Sequence, residues 1–339
     1  MKHALLDITM EQARQALAAD GLQPYRAEQL ADWVYRKAVT DPAAMTNVPA
    51  AVADRFDILT SLPVARADST DGTVKLLLEY PDGQRVETVL IPTATRATVC
   101  LSTQTGCAMG CTFCASGAGG LGRNLTCGEI LQQVIHLRQA TGRRITSIVF
   151  MGMGEPLANY DATVAAVRAL IDPKRFGLSA RAVTVSTVGL PGRIHRLAKE
   201  DLPITLAISL HAPNDALRRQ LVPTASAASI EQILSAAQEF FDARRREVTL
   251  EYVLLAGVND TNVCAEALAS LAQRLRCNVN LIRYNPVPSM PFAAPTPVAA
   301  KAFLERLRRR GVNAHLRRSR GADIAAACGQ LRQASGTGR

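Results

Sequence analysis

The chain has 339 residues, 48% hydrophobic and 20% charged, a balance that excludes a disordered polymer and suits a folded protein. Lys and Arg number 39 against 29 Asp and Glu, a formal charge of +10 that attracts polyanions rather than basic partners. No apolar run approaches the ~18 residues of a membrane span. The opening MKHALLDITMEQARQ lacks the apolar centre of a targeting segment, so a cytoplasmic chain without a membrane partner is expected.

Read in chain order, residues 1–70 form a small helical N-terminal domain, with helices over 8–19, where Thr9 is a cap, and over 26–38, which holds Trp33 and Tyr35. Residues 71–96 form a β-hairpin linker. Its strands TVKLLLEY (73–80) and QRVETVLIP (84–92) flank Pro81-Asp82-Gly83, a strong turn signal, and Glu87 lies on the second strand. From residue 97 to 332, apolar β-branched runs at 97–102, 145–150, 182–186, 204–210, 248–255 and 278–284 alternate with helical patterns. The helices fall near 127–140, 160–171, 190–200, 230–243, 263–275 and 297–310. Thr126 with Glu129 forms a capping box at the first of them.

Near-continuous apolar strands alternating with amphipathic helices mean a parallel sheet covered by helices, so the fold class is α/β. Six units make a partial (β/α)6 barrel, open on one side, with functional loops after the C-terminal ends of the strands. A last strand near 312–318 leads into a Gly/Ala-rich tail.

The charge is uneven along this plan. Beyond residue 60 there are 33 basic against 21 acidic residues, and 301–320 carries eight basic side chains against Glu305 alone. That field suits RNA, yet charge alone equally describes a solvated helix face followed by a basic strand. Aromatic residues, at 4%, are too few for a base-stacking platform.

Eight cysteines occur, and in a cytosolic chain clustered cysteines bind metal or do chemistry more often than they form disulfides. The loop after the first barrel strand reads Gly106-Cys107-Ala108-Met109-Gly110-Cys111-Thr112-Phe113-Cys114. Cys107, Cys111 and Cys114 offer three soft thiolates, suited to iron–sulfur or zinc. Structural zinc wants four protein ligands, and no fourth Cys or His stands at short spacing. Three ligands on a four-iron cluster leave one iron open.

After the second barrel strand comes Phe150-Met151-Gly152-Met153-Gly154-Glu155-Pro156-Leu157, where glycines allow backbone to approach a ligand and Glu155 offers an acceptor for an ammonium. Ser186, Ser209-Leu210-His211 and Asn285 stand at three further strand ends. Each alone reads as a cap or turn residue; together they suggest contacts with a cofactor.

The C-x3-C-x2-C loop resembles the signature of radical S-adenosylmethionine (SAM) enzymes, and GMGEP resembles their SAM motif. With Cys100 upstream, SLHAPND, NLIRYNP and the terminal GADIAAACGQL, residues 70–332 resemble the RlmN/Cfr family of adenine RNA methyltransferases. The resemblance implies a radical SAM barrel with one 4Fe–4S cluster on Cys107, Cys111 and Cys114. It further implies SAM contacts from Gly154, Glu155, Pro156, Ser186, Ser209, Leu210, His211 and Asn285. Two SAM molecules are used: one methylates Cys328, and the other is cleaved to a radical that abstracts hydrogen from that methyl group. The carbon then adds to adenine, Glu87 takes the ring proton, and Cys100 attacks the Cys328 sulfur, forming a transient disulfide.

On residues alone, Glu87 reads either as a base or as a solvent-facing strand position, and Cys100 as an ordinary core residue. Cys127, Cys264 and Cys277 read as buried small residues. The implied substrates are 23S rRNA and tRNA, and the implied electron donor is flavodoxin with its reductase. A monomer is expected. Pro156 favours the C2 branch, since C8 members tend to carry Ala there. Two other readings remain: a radical SAM enzyme with a non-RNA substrate, and a zinc-binding RNA protein.

Overall fold

The computed structural model describes residues 2–332. Helices α1 (Met10–Ala19) and α2 (Arg26–Ala31) begin the chain, and Thr9 with Gln12 closes a capping box on α1. The pattern over 26–38 is not one regular helix, because Asp32–Arg36 continues α2 as a π-helical stretch that places Val34 and Tyr35 in the core.

One ten-stranded sheet dominates. Its strands are β1 (Leu62–Asp68), β2 (Val74–Glu79), β3 (Arg85–Pro92), β4 (Ala97–Cys100), β5 (Ser147–Phe150), β6 (Val183–Thr187), β7 (Thr205–Ser209), β8 (Val248–Leu254), β9 (Cys277–Arg283) and β10 (Ala314–Arg317). They lie side by side in strict chain order. β1 through β4 pair antiparallel, and β4 through β10 pair parallel. The expected hairpin forms, and Val89–Cys100 and Leu90–Val99 pairing makes it continuous with the barrel sheet. β1, inside the segment read as helical, is an exposed edge strand whose apolar content is too slight to signal a buried strand.

The crossovers are α3 (Cys127–Thr141), α4 (Tyr160–Ile171), α5 (Pro191–Lys199), α6 (Asp215–Leu221), α7 (Ile230–Arg244), α8 (Asn262–Ala272) and α9 (Pro297–Arg309). Val99, Ile148, Val185, Leu206, Leu250 and Val279 are sealed from solvent between sheet and helices. No helix among the described residues is long and apolar enough to cross a membrane.

Two polar ties fix α3, the helix that follows the cysteine loop. From the N-terminal segment, Asp7 accepts from the Gly128 N–H at 2.6 Å and the Thr126 hydroxyl at 3.2 Å, adding a carboxylate to the capped helix start. A Cβ on Gly128 would meet that carboxylate at 2.6 Å, so the close approach needs glycine. Gln133, fully buried, accepts from the Ser102 N–H at 2.9 Å and donates to the Ser102 carbonyl at 2.8 Å.

Gln133→Leu keeps the volume and strands both backbone groups of Ser102. It should lower the free energy of unfolding by about 2–4 kcal/mol in a urea titration; a loss under ~0.5 kcal/mol would mean that water reaches Ser102.

Candidate active site

Beyond β4 the chain makes a small antiparallel ribbon, Gln104–Gly106 against Leu121–Asn124, and the cysteine loop closes it. Cys107, Cys111 and Cys114 line one cavity of about 920 Å3, partly open to solvent, with Glu155, Pro156, Ser186, Ser209, His211 and Cys328 around it. Burial pushes the Cys107 thiol up to about 11. Burial, then the neighbouring Cys114 and Cys107, pushes Cys111 well up. The three sulfurs thus stand within electrostatic reach of one another, and a metal centre must displace their protons. Among the described residues, no three His, Cys, Asp or Glu side chains group as ligands of a single ion. Three thiols around a roomy cavity fit an iron–sulfur cluster better than closed zinc.

The GMGEP loop after β5 is stitched to residues 101–104. The Met153 N–H donates to the Ser102 hydroxyl at 2.9 Å, and the Thr103 N–H donates to the Met153 carbonyl at 2.8 Å. The glycines serve this packing, and both also line the cavity. A Cβ on Gly152 would lie 2.7 Å from the Leu101 carbonyl oxygen; one on Gly154, at φ +101°, would lie 2.6 Å from the Gln104 Cβ. Gln104, which sequence reading missed, accepts from the Glu155 N–H at 2.8 Å and donates to Asn124 at 2.7 Å. Glu155 is 2% exposed, and its oxygens accept from Leu157 and Val188 N–H groups at 2.9 and 2.8 Å. Burial raises its pKa to about 7 against these bonds. The Thr187 hydroxyl donates to this carboxylate as well.

The strand-end residues divide. The Ser186 and Ser209 hydroxyls sit 3.3 Å apart on the cavity wall. His211, at φ +58°, accepts from the Val253 N–H through Nδ1 at 3.1 Å, and its ring meets Phe113 edge-on at 5.0 Å. Its proton is therefore on Nε2. Burial, then Arg218, pushes its pKa down to about 3. Leu210 does not join them: strand alternation turns it away from Ser209 into the core, where it is fully buried. Asn285 departs as well, because its side chain reaches the tail and donates to the Cys328 carbonyl at 3.1 Å.

Asn285 lines a second cavity, of about 980 Å3, with Cys100, Cys328, Arg317, Arg318 and Leu331. Met151, Ile282, Arg317 and Cys328 line both cavities, so Cys328 stands where they join. Every described cysteine is free; Cys328 is exposed and Cys100 buried. Burial, then Cys328, pushes the Cys100 thiol up to about 12. Arg317, read from sequence only as part of a basic strand, is ion-paired with the buried Glu251 at 3.5 Å. Cys328 is the largest influence raising its pKa, with Cys100 also contributing, so the guanidinium faces both thiols. A basic residue at a strand's C-terminal end, beside a carboxylate two strands away, was the available signal.

The tail that carries Cys328 is pinned at several points. The Gly329 carbonyl accepts from Ala115 N–H at 2.8 Å, and the Leu331 carbonyl accepts from Ser116 at 2.6 Å, both from the cysteine loop. Asp323 accepts from Ser69 at 2.6 Å, and Asp71 accepts from Gly321 N–H at 3.0 Å. Glu87 does not face solvent. It is 7% exposed, pairs with Lys75 at 2.8 Å, and accepts from the Arg332 N–H at 3.0 Å. Cys127, Cys264 and Cys277 line neither cavity.

Residues 101–266 match the Radical SAM superfamily, and residues 3–59 match the Ribosomal RNA large subunit methyltransferase N-terminal domain. The chain is 47% identical over 320 residues to a probable dual-specificity RNA methyltransferase RlmN of Thermosynechococcus vestitus, covering 93% of this chain and 94% of that one. The chain belongs to the RlmN family of radical SAM RNA methyltransferases. A relative of the same description from Gloeobacter violaceus is 43% identical, over 100% of this chain and 97% of its own. A crystal structure of a radical SAM methyltransferase from Sphaerobacter thermophilus superposes with a TM-score of 0.94 at 46% identity, covering 97% of this chain and 99% of that one. RlmN-family enzymes are RNA methyltransferases of the radical SAM type, which use a 4Fe–4S cluster and SAM.

His211 carries a pH signature. Its folded pKa, about 3, lies below the ordinary value of 6.5, so on acidification the unfolded chain takes up a proton that the folded chain refuses. Its contribution to stability is whole above that ordinary value and erodes as pH falls toward the folded one, by at most about 1.4 kcal/mol per pH unit. Its imidazole should keep a neutral NMR signature from roughly pH 8 to pH 5; a protonation shift inside that interval contradicts the burial argument.

Proposed function

We propose that this RlmN-family enzyme methylates C2 of adenine in 23S rRNA and in tRNA beside the anticodon, with Cys328 as the methyl carrier. One observation carries the reading: Cys328 stands at the junction of two cavities, one lined by the three loop cysteines and the other by Cys100. A methyl acceptor must meet SAM on one side and the base on the other, and a single exposed thiol at a junction meets that need.

In this reading Cys107, Cys111 and Cys114 hold the cluster, and Glu155, Pro156, Ser186, Ser209 and His211 hold SAM. When bound, the cluster and SAM supply the electron and the 5′-deoxyadenosyl radical that makes an unactivated ring carbon accessible. The chain supplies the rest. Neutral His211 presents an Nε2–H donor without adding charge. Cys328 accepts a methyl group by displacement and, as its thiomethylene radical, bonds to the adenine carbon. Glu87 accepts the ring proton. The Cys100 thiolate attacks the Cys328 sulfur and the carbon–sulfur bond breaks; the released methylene carbon takes up a proton to become the methyl group, the Cys100–Cys328 disulfide forms, and the one surplus electron would return to the oxidised cluster. Arg317 lines both cavities and favours the Cys100 thiolate, which burial opposes. Asn285 donates to the Cys328 carbonyl and so fixes the carrier's backbone.

The names of the relatives support dual RNA specificity, and Pro156 supports C2 over C8. The free +10 chain is taken to act as a cytoplasmic monomer, with a flavodoxin and its reductase as electron donor.

The test is nucleoside mass spectrometry after anaerobic incubation of reconstituted enzyme with adenine-containing rRNA or tRNA fragments, SAM and reductant. Wild type should give 2-methyladenosine, Cys328→Ala none, and Cys100→Ala a covalent protein–RNA adduct. Dominant 8-methyladenosine overturns the C2 assignment; product from Cys328→Ala overturns the carrier role.

A further inference from the structure

Glu87 does not stand alone on its strand. β2 and β3 pair with Leu77 opposite Glu87 and Lys75 opposite Val89, so Lys75 is the diagonal neighbour of Glu87 on one face of the sheet. The Lys75 ammonium lies 2.8 Å from Glu87 Oε1 and donates to the Ala325 carbonyl at 3.1 Å. Both side chains are largely withdrawn from water, at 14% and 9% exposure. Ala325 has φ +50°, a left-handed residue where the tail turns toward Cys328 three residues on. The second Glu87 oxygen accepts from Arg332 N–H, four residues past Cys328. The carboxylate and its lysine therefore grip the tail on both sides of the exposed thiol.

We infer that Lys75 is a positioning residue for the methyl transfer: it aims Glu87 and ties that carboxylate to the segment that presents Cys328. The inference rests on Glu87 acting as the base. Three physical points lead to it. A carboxylate this buried needs a cation or several donors to stay charged, and Lys75 is the cation in contact. An ammonium donates but has no lone pair while protonated, so Lys75 leaves proton acceptance to Glu87. One ammonium that bonds both the carboxylate and the tail carbonyl sets the separation between base and methyl carrier. A purely structural anchor would need only the carbonyl bond, and a surface ion pair would need neither the burial nor the tail.

Both Glu87 oxygens are engaged here, one by Lys75 and one by the tail N–H. Each keeps a further lone pair, so the ring proton can be taken up while the Lys75 contact to Oε1 persists.

The experiment compares wild type, Lys75→Met, Lys75→Gln, Lys75→Arg and Glu87→Gln, each reconstituted and confirmed by iron content and thermal melting. Cys328 S-methylation, 5′-deoxyadenosine, methylated nucleoside and protein–RNA adduct are measured in single turnover. Lys75→Met should form S-methyl-Cys328 and 5′-deoxyadenosine as wild type does, yet release methylated RNA roughly 10- to 100-fold more slowly and accumulate adduct, short of the ~10^2–10^4 that a general base supplies. Lys75→Gln keeps a donor for the Ala325 carbonyl without the charge, and should also accumulate adduct. Lys75→Arg should recover most of the release rate. Wild-type release by both Lys75→Met and Lys75→Gln overturns the inference. So does loss of Cys328 S-methylation in Lys75→Met with recovery in Lys75→Gln, which makes Lys75 a tail anchor only. Normal turnover by Glu87→Gln overturns instead the base role of Glu87, whatever the lysine variants do.

Discussion

The whole site depends on the return of the C-terminal tail across the open side of the sheet. β10 is one edge of the ten strands and β4 is interior, so Cys328 reaches the neighbourhood of Cys100 only because residues after β10 fold back over the strand ends. The contacts that hold this tail are almost all hydrogen bonds: to the cysteine loop through Ala115 and Ser116, to the β1–β2 turn through Ser69 and Asp71, and to Asn285. Each contributes on the order of 1 kcal/mol, and apart from Ala326, Ala327 and Leu331 few apolar groups are buried with them. Such a segment opens at lower cost than the core strands, which suits the carrier role proposed for Cys328.

Electrostatics divide the site into groups that keep one charge state and groups that change it. His211 stays neutral because burial, a backbone donor on Nδ1 and nearby Arg218 all disfavour its cation. Glu251 is buried and its pKa is raised by that burial, but Arg317 and Asn280 partner it, so a guanidinium is held facing two cysteines. Cys100 is the group that changes. Burial and the neighbouring Cys328 hold its thiol protonated. Arg317 and the entry of a polar substrate both favour the thiolate that exchange requires.

Much of this was legible in the residues. The barrel strands and their helices follow from apolar runs alternating with 3.6-residue periodicity, and Thr126 with Glu129 marks a helix start that the structure reproduces as a capping box. Cys107, Cys111, Cys114, Glu155, Ser186, Ser209 and His211 share one cavity because all stand at the C-terminal ends of parallel strands or in the loops that follow them, a placement that topology enforces. Three things were not legible. β1 is an edge strand with little to bury, so its sequence carries no alternation. The glycines of GMGEP answer to Leu101 and Gln104, a close packing invisible without coordinates. The partners of Glu87, Asn285 and Arg317 lie up to 245 residues away in sequence, as the Glu87 to Arg332 bond does, and no local pattern encodes such contacts.

The central claim is that Cys328 is the methyl carrier, and the most direct measurement is peptide mapping of the reconstituted chain after incubation with SAM and reductant in the absence of RNA. The account predicts one methyl group, on Cys328, and none on the other seven cysteines. An unmodified Cys328, or a methyl group on Cys100 instead, contradicts it.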